Sequence, residues 1–577
     1  MAAVKQYIAG HGQRREDRFA VPRLYPALIF VLGVANAAFG QATAPTTIAS
    51  VRQTDAVCGR CHAAILRTYV ETPMANASGL AIERISPASY YNRSSGVQYT
   101  IMLAHDSAYL NYRRQSAPRL DGRFKLLYFL GSGHLGRTYL YSIGGYLFES
   151  PIAYYAPSNA YDMKPGYSAF ARIPAAIPMT SGCMRCHMSA VQREDAGTKN
   201  HYSSLPFLHS GITCESCHGD TTQHVSTAGR APVVNPINLD PVRRDSVCIS
   251  CHLEGDTNVE RKGKSAIDYR PGQKIEDYLT YFVYKDATAN SRGVSEIEQL
   301  NMSRCKRVSG DRMSCMSCHD PHFTPSAAER VQFYRAKCLH CHAQAKFAHD
   351  HYPSLPDCTA CHMPKNTAEN IPHVAWTDHR IRRDPQEPSA PAPKVAIGGT
   401  AAPSARTLEP LLVADAPSRD LALAYYDLVS KGQKDETARA WLLLTAANAS
   451  GSDDVPVMRS LAVLAQLTGA NSTAAPLYQK ILKTDPGDLT ALTNLAALDA
   501  RGGQIQSAAN LWQQAFARNE DVPGLGLNLA TVLCMLGHRN QALDTLNRTK
   551  IYDPDSIRLS GLYKRIADPN VGCPGSR

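Results

Sequence analysis

The pattern Cys-x-x-Cys-His occurs seven times in 577 residues, at Cys58–His62, Cys183–His187, Cys214–His218, Cys248–His252, Cys315–His319, Cys338–His342 and Cys358–His362. With 17 Cys and 20 His in the chain, chance would give about 0.02 copies. Two thiols at this spacing reach the two vinyl groups of one porphyrin, and the next residue is then held under the iron as its proximal ligand. The pattern thus assigns haem attachment to Cys58, Cys61, Cys183, Cys186, Cys214, Cys217, Cys248, Cys251, Cys315, Cys318, Cys338, Cys341, Cys358 and Cys361. Proximal ligation falls to His62, His187, His218, His252, His319, His342 and His362. A structural zinc takes two Cys-x-x-Cys pairs and has no use for a His after every second Cys. A thioredoxin-type dithiol needs one pair in a βαβ unit, not seven.

Six of the motifs fall between Cys183 and His362. So little polypeptide cannot build an apolar core around each haem, so the porphyrins themselves must act as core. The 120 residues after the first motif differ. Period-two and aromatic runs at Val97–Leu103, Phe124–Leu130, Thr138–Ser142 and Tyr146–Ile152, parted by Gly131-Ser-Gly133 and Gly144-Gly145, predict a small antiparallel β insert over about 90–155. Ile267–Tyr284 predicts a second short β excursion.

Residues 1–23 are polar and basic, and Leu24–Phe39 is apolar and rich in small residues. That predicts a secretory signal over 1–40, cut between Ala38 and Ala42. Sixteen residues containing Pro26 and Asn36 make a poor membrane span. The expected location is periplasmic or extracellular, in a bacterium. The net charge of +11 invites a nucleic-acid reading. Removing the signal leaves about +8, and fourteen propionates with seven ferric cores bring the total to about +1. The basic residues then balance propionates, and no nucleic-acid motif is present.

The surroundings of the motifs resemble a family. Gly-Ile-Thr-Cys214-Glu-Ser-Cys217-His218-Gly with His224, Asp245-Ser-Val-Cys248, Cys318-His319-Asp-Pro-His322, and Cys361-His362-Met-Pro-Lys with His373 and His379 are similar to multihaem cytochromes with doubled Cys-x-x-Cys-His motifs. These are related to the tetrahaem carriers of nitrifying bacteria, and one branch carries a tail of tetratricopeptide repeats. The resemblance covers about residues 50–383. It implies periplasmic or extracellular electron transfer.

The sixth ligand decides what an iron can do, because only an open face binds a small molecule. Besides the seven proximal His, eleven His stand in residues 41–405: His105, His134, His201, His209, His224, His322, His340, His349, His351, His373 and His379. The resemblance favours His224 and His322, then His373 or His379; His134 and His349 or His351 follow. Met74 is a His/Met alternative for the first haem, for which His105 and His134 also compete. His340 lies inside its own motif and can serve only a neighbouring haem. No Cys-x-x-Cys-Lys is present.

Residues 383–405 form a Pro/Ala linker. Beyond it the chain repeats with period 34: Leu461, Leu495 and Leu529; Gly469, Gly503 and Gly537; Tyr478, Trp512 and Leu546. That is the tetratricopeptide pattern, over 406–566 with a tail at 567–577, and it predicts four helix pairs stacked as a solenoid that docks a protein partner. The expected fold is multidomain: a haem-packed, mostly α or irregular cytochrome region over 41–382 with a small β insert, plus an all-α tetratricopeptide solenoid. The expected function is an exported seven-haem electron relay with redox partner proteins and no permanent membrane span. The alternative is a multihaem reductase or oxidase of small nitrogen or sulfur compounds with one open haem. The linker predicts that the two modules separate.

Overall fold

The structure, a computed structural model, describes residues 48–165, 167, 177–285, 294, 296–342, 356–367, 375–383, 407–451 and 453–574. The signal segment, most of the linker, His349, His351 and His373 lie outside the described residues.

The β insert is larger than its sequence pattern predicts. Strands β1 (Ser78–Leu80), β2 (Ala88–Asn92), β3 (Val97–Ala104), β4 (Ser107–Arg114), β5 (Leu120–Leu130), β6 (Gly136–Ile143), β7 (Tyr146–Glu149), β8 (Ile152–Tyr155), β9 (Ala160–Met163) and β10 (Ile177–Pro178) form one antiparallel sheet. Its order is β10-β7-β6-β5-β4-β3-β2, with β1 on β5 and the β8–β9 hairpin on β6. Alternation sets the inner face: Val97, Tyr99 and Ile101 of β3 and Ala108, Leu110 and Tyr112 of β4 are buried, while their neighbours point outward. Tyr90 of β2 donates to Asp162 of β9 over 2.7 Å, so the sheet curls until its ends meet. The short strands β1, β8, β9 and β10 have too few residues to show a period.

Downstream, β11 (Met188–Val191) pairs with β12 (Phe207–Ser210), and β13 (Thr257–Glu260) with β14 (Leu279–Tyr284). Strands β15 (Lys365–Thr367) and β16 (Ala375–Thr377) also pair antiparallel. Between these lie helices such as Pro241–His252 and Arg330–Cys341, and short turns that carry the motifs.

Among the described residues the C-terminal region holds nine α-helices: α1 (Ser418–Ser430), α2 (Thr437–Ser450), α3 (Val455–Leu467), α4 (Asn471–Thr484), α5 (Leu489–Arg501), α6 (Ile505–Phe516), α7 (Pro523–Met535), α8 (Arg539–Lys550) and α9 (Ile557–Ala567). They form four pairs and a closing helix. Gly432, Gly469, Gly503 and Gly537 end the first helix of each pair at φ between 81° and 101°, where any side chain is strained. Ala440, Ala474, Ala508 and Ala542 are fully buried and let the helices approach closely. A disulfide joins Cys534 of α7 to Cys573 of the tail.

The repeats do not stand apart from the rest. Strand β17 (Leu408–Pro410), just past the linker, pairs with β14. Val259, Phe282 and Tyr284 share one core with Leu423 and Leu428 of α1 and Leu444 of α2. At the far end, Tyr552 enters the core of the large sheet beside Tyr146 and Phe148. Arg114 of β4 grips Asp555 through two hydrogen bonds, 2.8 and 2.5 Å, both side chains buried. Two separable modules were expected; the described parts share apolar surface at both ends of the solenoid.

Candidate functional site: a cavity lined by seven motifs

Each motif folds as about one helical turn. His62, His218, His319 and His342 donate their backbone N–H to the carbonyl of the first Cys of the motif, over 2.9–3.0 Å. This brings the His and that Cys to one face of the turn. The turns surround one cavity of about 3270 Å³ to which all seven motifs contribute. Ordinary small-ligand pockets are about 300–1,000 Å³. From the second motif Cys186 reaches it; from the third to the seventh, both Cys and the His do.

Three pairs of imidazoles face one another around this cavity. Ring centroids are 6.4 Å apart for His62 and His224, 6.0 Å for His218 and His322, and 6.3 Å for His319 and His379, with ring planes within 30°. Two imidazoles on opposite sides of one metal, each bonded at about 2.0 Å with about 1.1 Å from nitrogen to ring centre, have centroids about 6.3 Å apart.

Hydrogen bonds fix the tautomers in the same sense. His218 donates from Nδ1 to the Val234 carbonyl and His224 to that of Ala231, both 2.8 Å. His379 donates to Thr377 at 2.8 Å and His362 to Arg382 at 2.5 Å. A ring that gives its Nδ1 proton to a carbonyl keeps Nε2 free as a ligand. Burial first, then His379, His252 and Lys337, pushes His319 down to about 4, so its ring stays neutral. Burial also lowers His187 and His322, helped by His252 and His218 respectively.

Other candidates fall elsewhere. His105 occupies the hairpin turn between β3 and β4 at φ 52°, and His134 is exposed in the turn after β5; neither lines the cavity. His201 has both ring nitrogens engaged, by Asp195 at 2.6 Å and the Gly144 carbonyl at 3.1 Å. Met74, His209, His340 and Cys305 line the cavity. Burial raises the Cys305 thiol, with Cys341 adding to it. The Nδ1 acceptors Val234, Ala231 and Thr377 carry no sequence signal, since any residue supplies a backbone carbonyl.

The lining also suits an anionic occupant. Among the described residues it carries twelve Lys and Arg, Arg185, Arg244 and Lys337 among them, against five Asp and Glu. Thiol pairs, imidazole rings paired at 6.0–6.4 Å and surplus cationic groups fit covalently held porphyrins with propionates.

Comparisons with known proteins agree with this chemistry. The doubled CXXCH motif matches residues 308–347, cytochrome c554 and c-prime matches residues 162–219, and the tetratricopeptide repeat matches residues 500–566. The multiheme cytochrome MtrA of Shewanella baltica is 24% identical over 182 residues, 28% of this chain. The chain spans about half, 53%, of that curated relative. Among solved structures, a tetratricopeptide repeat protein of Parabacteroides merdae is 20% identical over 26% of this chain and 58% of its own, with a TM-score of 0.23. PilF of Pseudomonas aeruginosa is 20% identical over 26% of this chain and 71% of its own, also at 0.23. These matches lie where the attachment motifs and the 34-residue repeat lie, so the chain is similar to multihaem cytochromes with doubled Cys-x-x-Cys-His motifs and carries a segment similar to tetratricopeptide repeats at its C-terminal end.

Proposed function

We propose that the protein is an exported electron carrier that holds seven haems c and meets redox partner proteins, with the repeats supplying a docking surface. The observation that carries the reading is the set of three imidazole pairs at 6.0–6.4 Å inside one cavity. Bound haem supplies one-electron chemistry. The chain's part is to attach it through the motif thiols and ligate it from His62, His187, His218, His252, His319, His342 and His362. His224, His322 and His379 would supply a second ligand to three of the haems. A haem so held would leave no site for a substrate, which favours carriage over catalysis. His349, His351 and His373 remain candidates for other irons. The Cys534–Cys573 disulfide supports export, since such bonds persist in oxidising compartments. No helix among the described residues is long and apolar enough to cross a membrane.

A second reading rests on His187 and His252. Neither forms a comparable ring pair among the described residues. An iron there with one open face would suit a reductase or oxidase of small nitrogen or sulfur compounds.

The test is stoichiometry. Protein from a host with haem-attachment machinery should keep seven haems after denaturation, by pyridine haemochrome assay and intact mass. Four or fewer would overturn the carrier reading.

A further inference from the structure

The candidate ligand rings differ in what meets their Nδ1. His218, His224 and His379 each give it to a backbone carbonyl over 2.8 Å, and His362 does so over 2.5 Å. At His319 the partner is a side chain: its Nδ1 meets the Tyr334 hydroxyl at 3.4 Å. Tyr334 stands edge-on to that ring, with centroids 5.7 Å apart, on the helix Arg330–Cys341. Lys337 lies one turn further along the same face of that helix. Tyr334 and Lys337 both line the large cavity with His319, and the Lys337 charge bears on the His319 ring. The pair of His218 and His322 has other company. The Asp320 carboxylate stands 3.8 Å from His322 Nδ1. A phenol, Tyr69, also packs there at 6.3 Å between centroids, but its hydroxyl donates to the Ile212 carbonyl over 2.5 Å.

A good acceptor on Nδ1 raises the basicity of an imidazole that binds metal through Nε2. A more basic ligand favours the oxidised metal and so lowers the potential. The aromatic ring draws on the lone pairs of a phenol oxygen, which accepts more weakly than a carbonyl. A separation of 3.4 Å is also long, since N–H···O bonds run about 2.7–3.2 Å. His319 is therefore a weaker electron donor than His218. The Lys337 ammonium works in the same direction, because a neighbouring cation disfavours the more positive, oxidised state. The Asp320 carboxylate works in the opposite direction on the other pair. We infer that Tyr334 is a positioning residue: through its loose hold on His319 it sets the haem between His319 and His379 at a higher potential than the haem between His218 and His322. The inference rests on the haem reading above. Of these two places, the pair at His319 is then the one where an entering electron settles, and the helix that bears Cys338 and Cys341 of the sixth motif tunes the ligand of the fifth.

Potentiometric titration of the haem-loaded full chain tests this. His379→Met and His322→Met serve as markers, since a thioether ligand raises the midpoint of the haem it holds. In the parent protein, the midpoint that His379→Met moves should lie above the one that His322→Met moves. Tyr334→Phe keeps the ring and removes the acceptor, so it should raise the first of these midpoints further. Tyr334→Glu sets a carboxylate acceptor near His319 and should lower it. Both should move that midpoint more than any other. A merely structural role for Tyr334 would move it the same way in both variants. The reverse order in the parent, shifts of one sign, or no shift would each overturn the inference. Intact mass of the denatured proteins counts covalent haems and judges the haem reading separately.

Discussion

The sheet of β1–β10 and the motif-bearing region are both built from short segments, yet they reach order by opposite routes. The sheet supplies its own core: Tyr99, Leu110, Tyr139 and Phe148 are each at most 1% exposed, and alternation along the strands puts them there. The motif region walls a cavity of about 3270 Å³, and what its segments share is the placing of thiols and imidazoles around that cavity. Apolar burial can be read locally because period two is a property of one strand. Ligand geometry cannot, because its partners come from distant parts of the chain.

Breaking the contact between repeats and motif region should have the largest effect. Ending the chain after Arg383 would strip α1 and β17 from Phe282, Tyr284 and Val259. Each newly exposed large side chain costs about 1.5–3 kcal/mol, a total comparable with the stability of a whole domain. Such a chain should show a lowered melting temperature and reduced haem content. An unchanged visible spectrum and melting temperature would show the motif region to be self-supporting.

The next effect sharpens the comparison from the sheet side. Arg114→Met would leave the Asp555 carboxylate buried without its bidentate guanidinium, at a cost of about 3–5 kcal/mol. Faster proteolysis near α9 with the haem spectrum retained is the expected result. Equal loss of haem signal would mean that the solenoid's far end also supports the motifs.

A smaller effect concerns Asp521, beside that junction. Burial pushes its carboxyl up to about 6, while Lys199, Asn200 and His201 pull it down, and Tyr146, Glu520, Arg548 and Tyr552 stand nearby. The unfolded group releases its proton near 3.8. Between these values the folded state binds more protons, so stability falls as pH rises through that window, by about 2–3 kcal/mol, and stays lower above it. Asp521→Asn should flatten this slope and raise stability at pH 7 by about 1–2 kcal/mol. Urea titrations at several pH values decide it; an unchanged slope would contradict the assignment.

Sequence legibility follows the same division. The seven motifs, the sheet's central strands and the 34-residue repeat were legible because each is written within a few tens of residues. His224, His322 and His379 were among the candidates, but His62 and His224 are 162 residues apart, and no local pattern says which rings meet. His105 and His134 looked equally available; a hairpin turn and an exposed turn account for them. The pairing of β17 with β14, the reach of Tyr552 into the sheet and the Cys534–Cys573 bond all depend on how the solenoid lies against the rest. A period describes the repeat but not its neighbour.

Electron paramagnetic resonance of the oxidised, haem-loaded protein bears most directly on the three imidazole pairs. His224→Ala, His322→Ala and His379→Ala should each keep seven covalent haems and convert one low-spin ferric haem to a high-spin one that binds carbon monoxide when reduced. Three variants that keep the parent's low-spin signals and bind no added carbon monoxide would contradict the account.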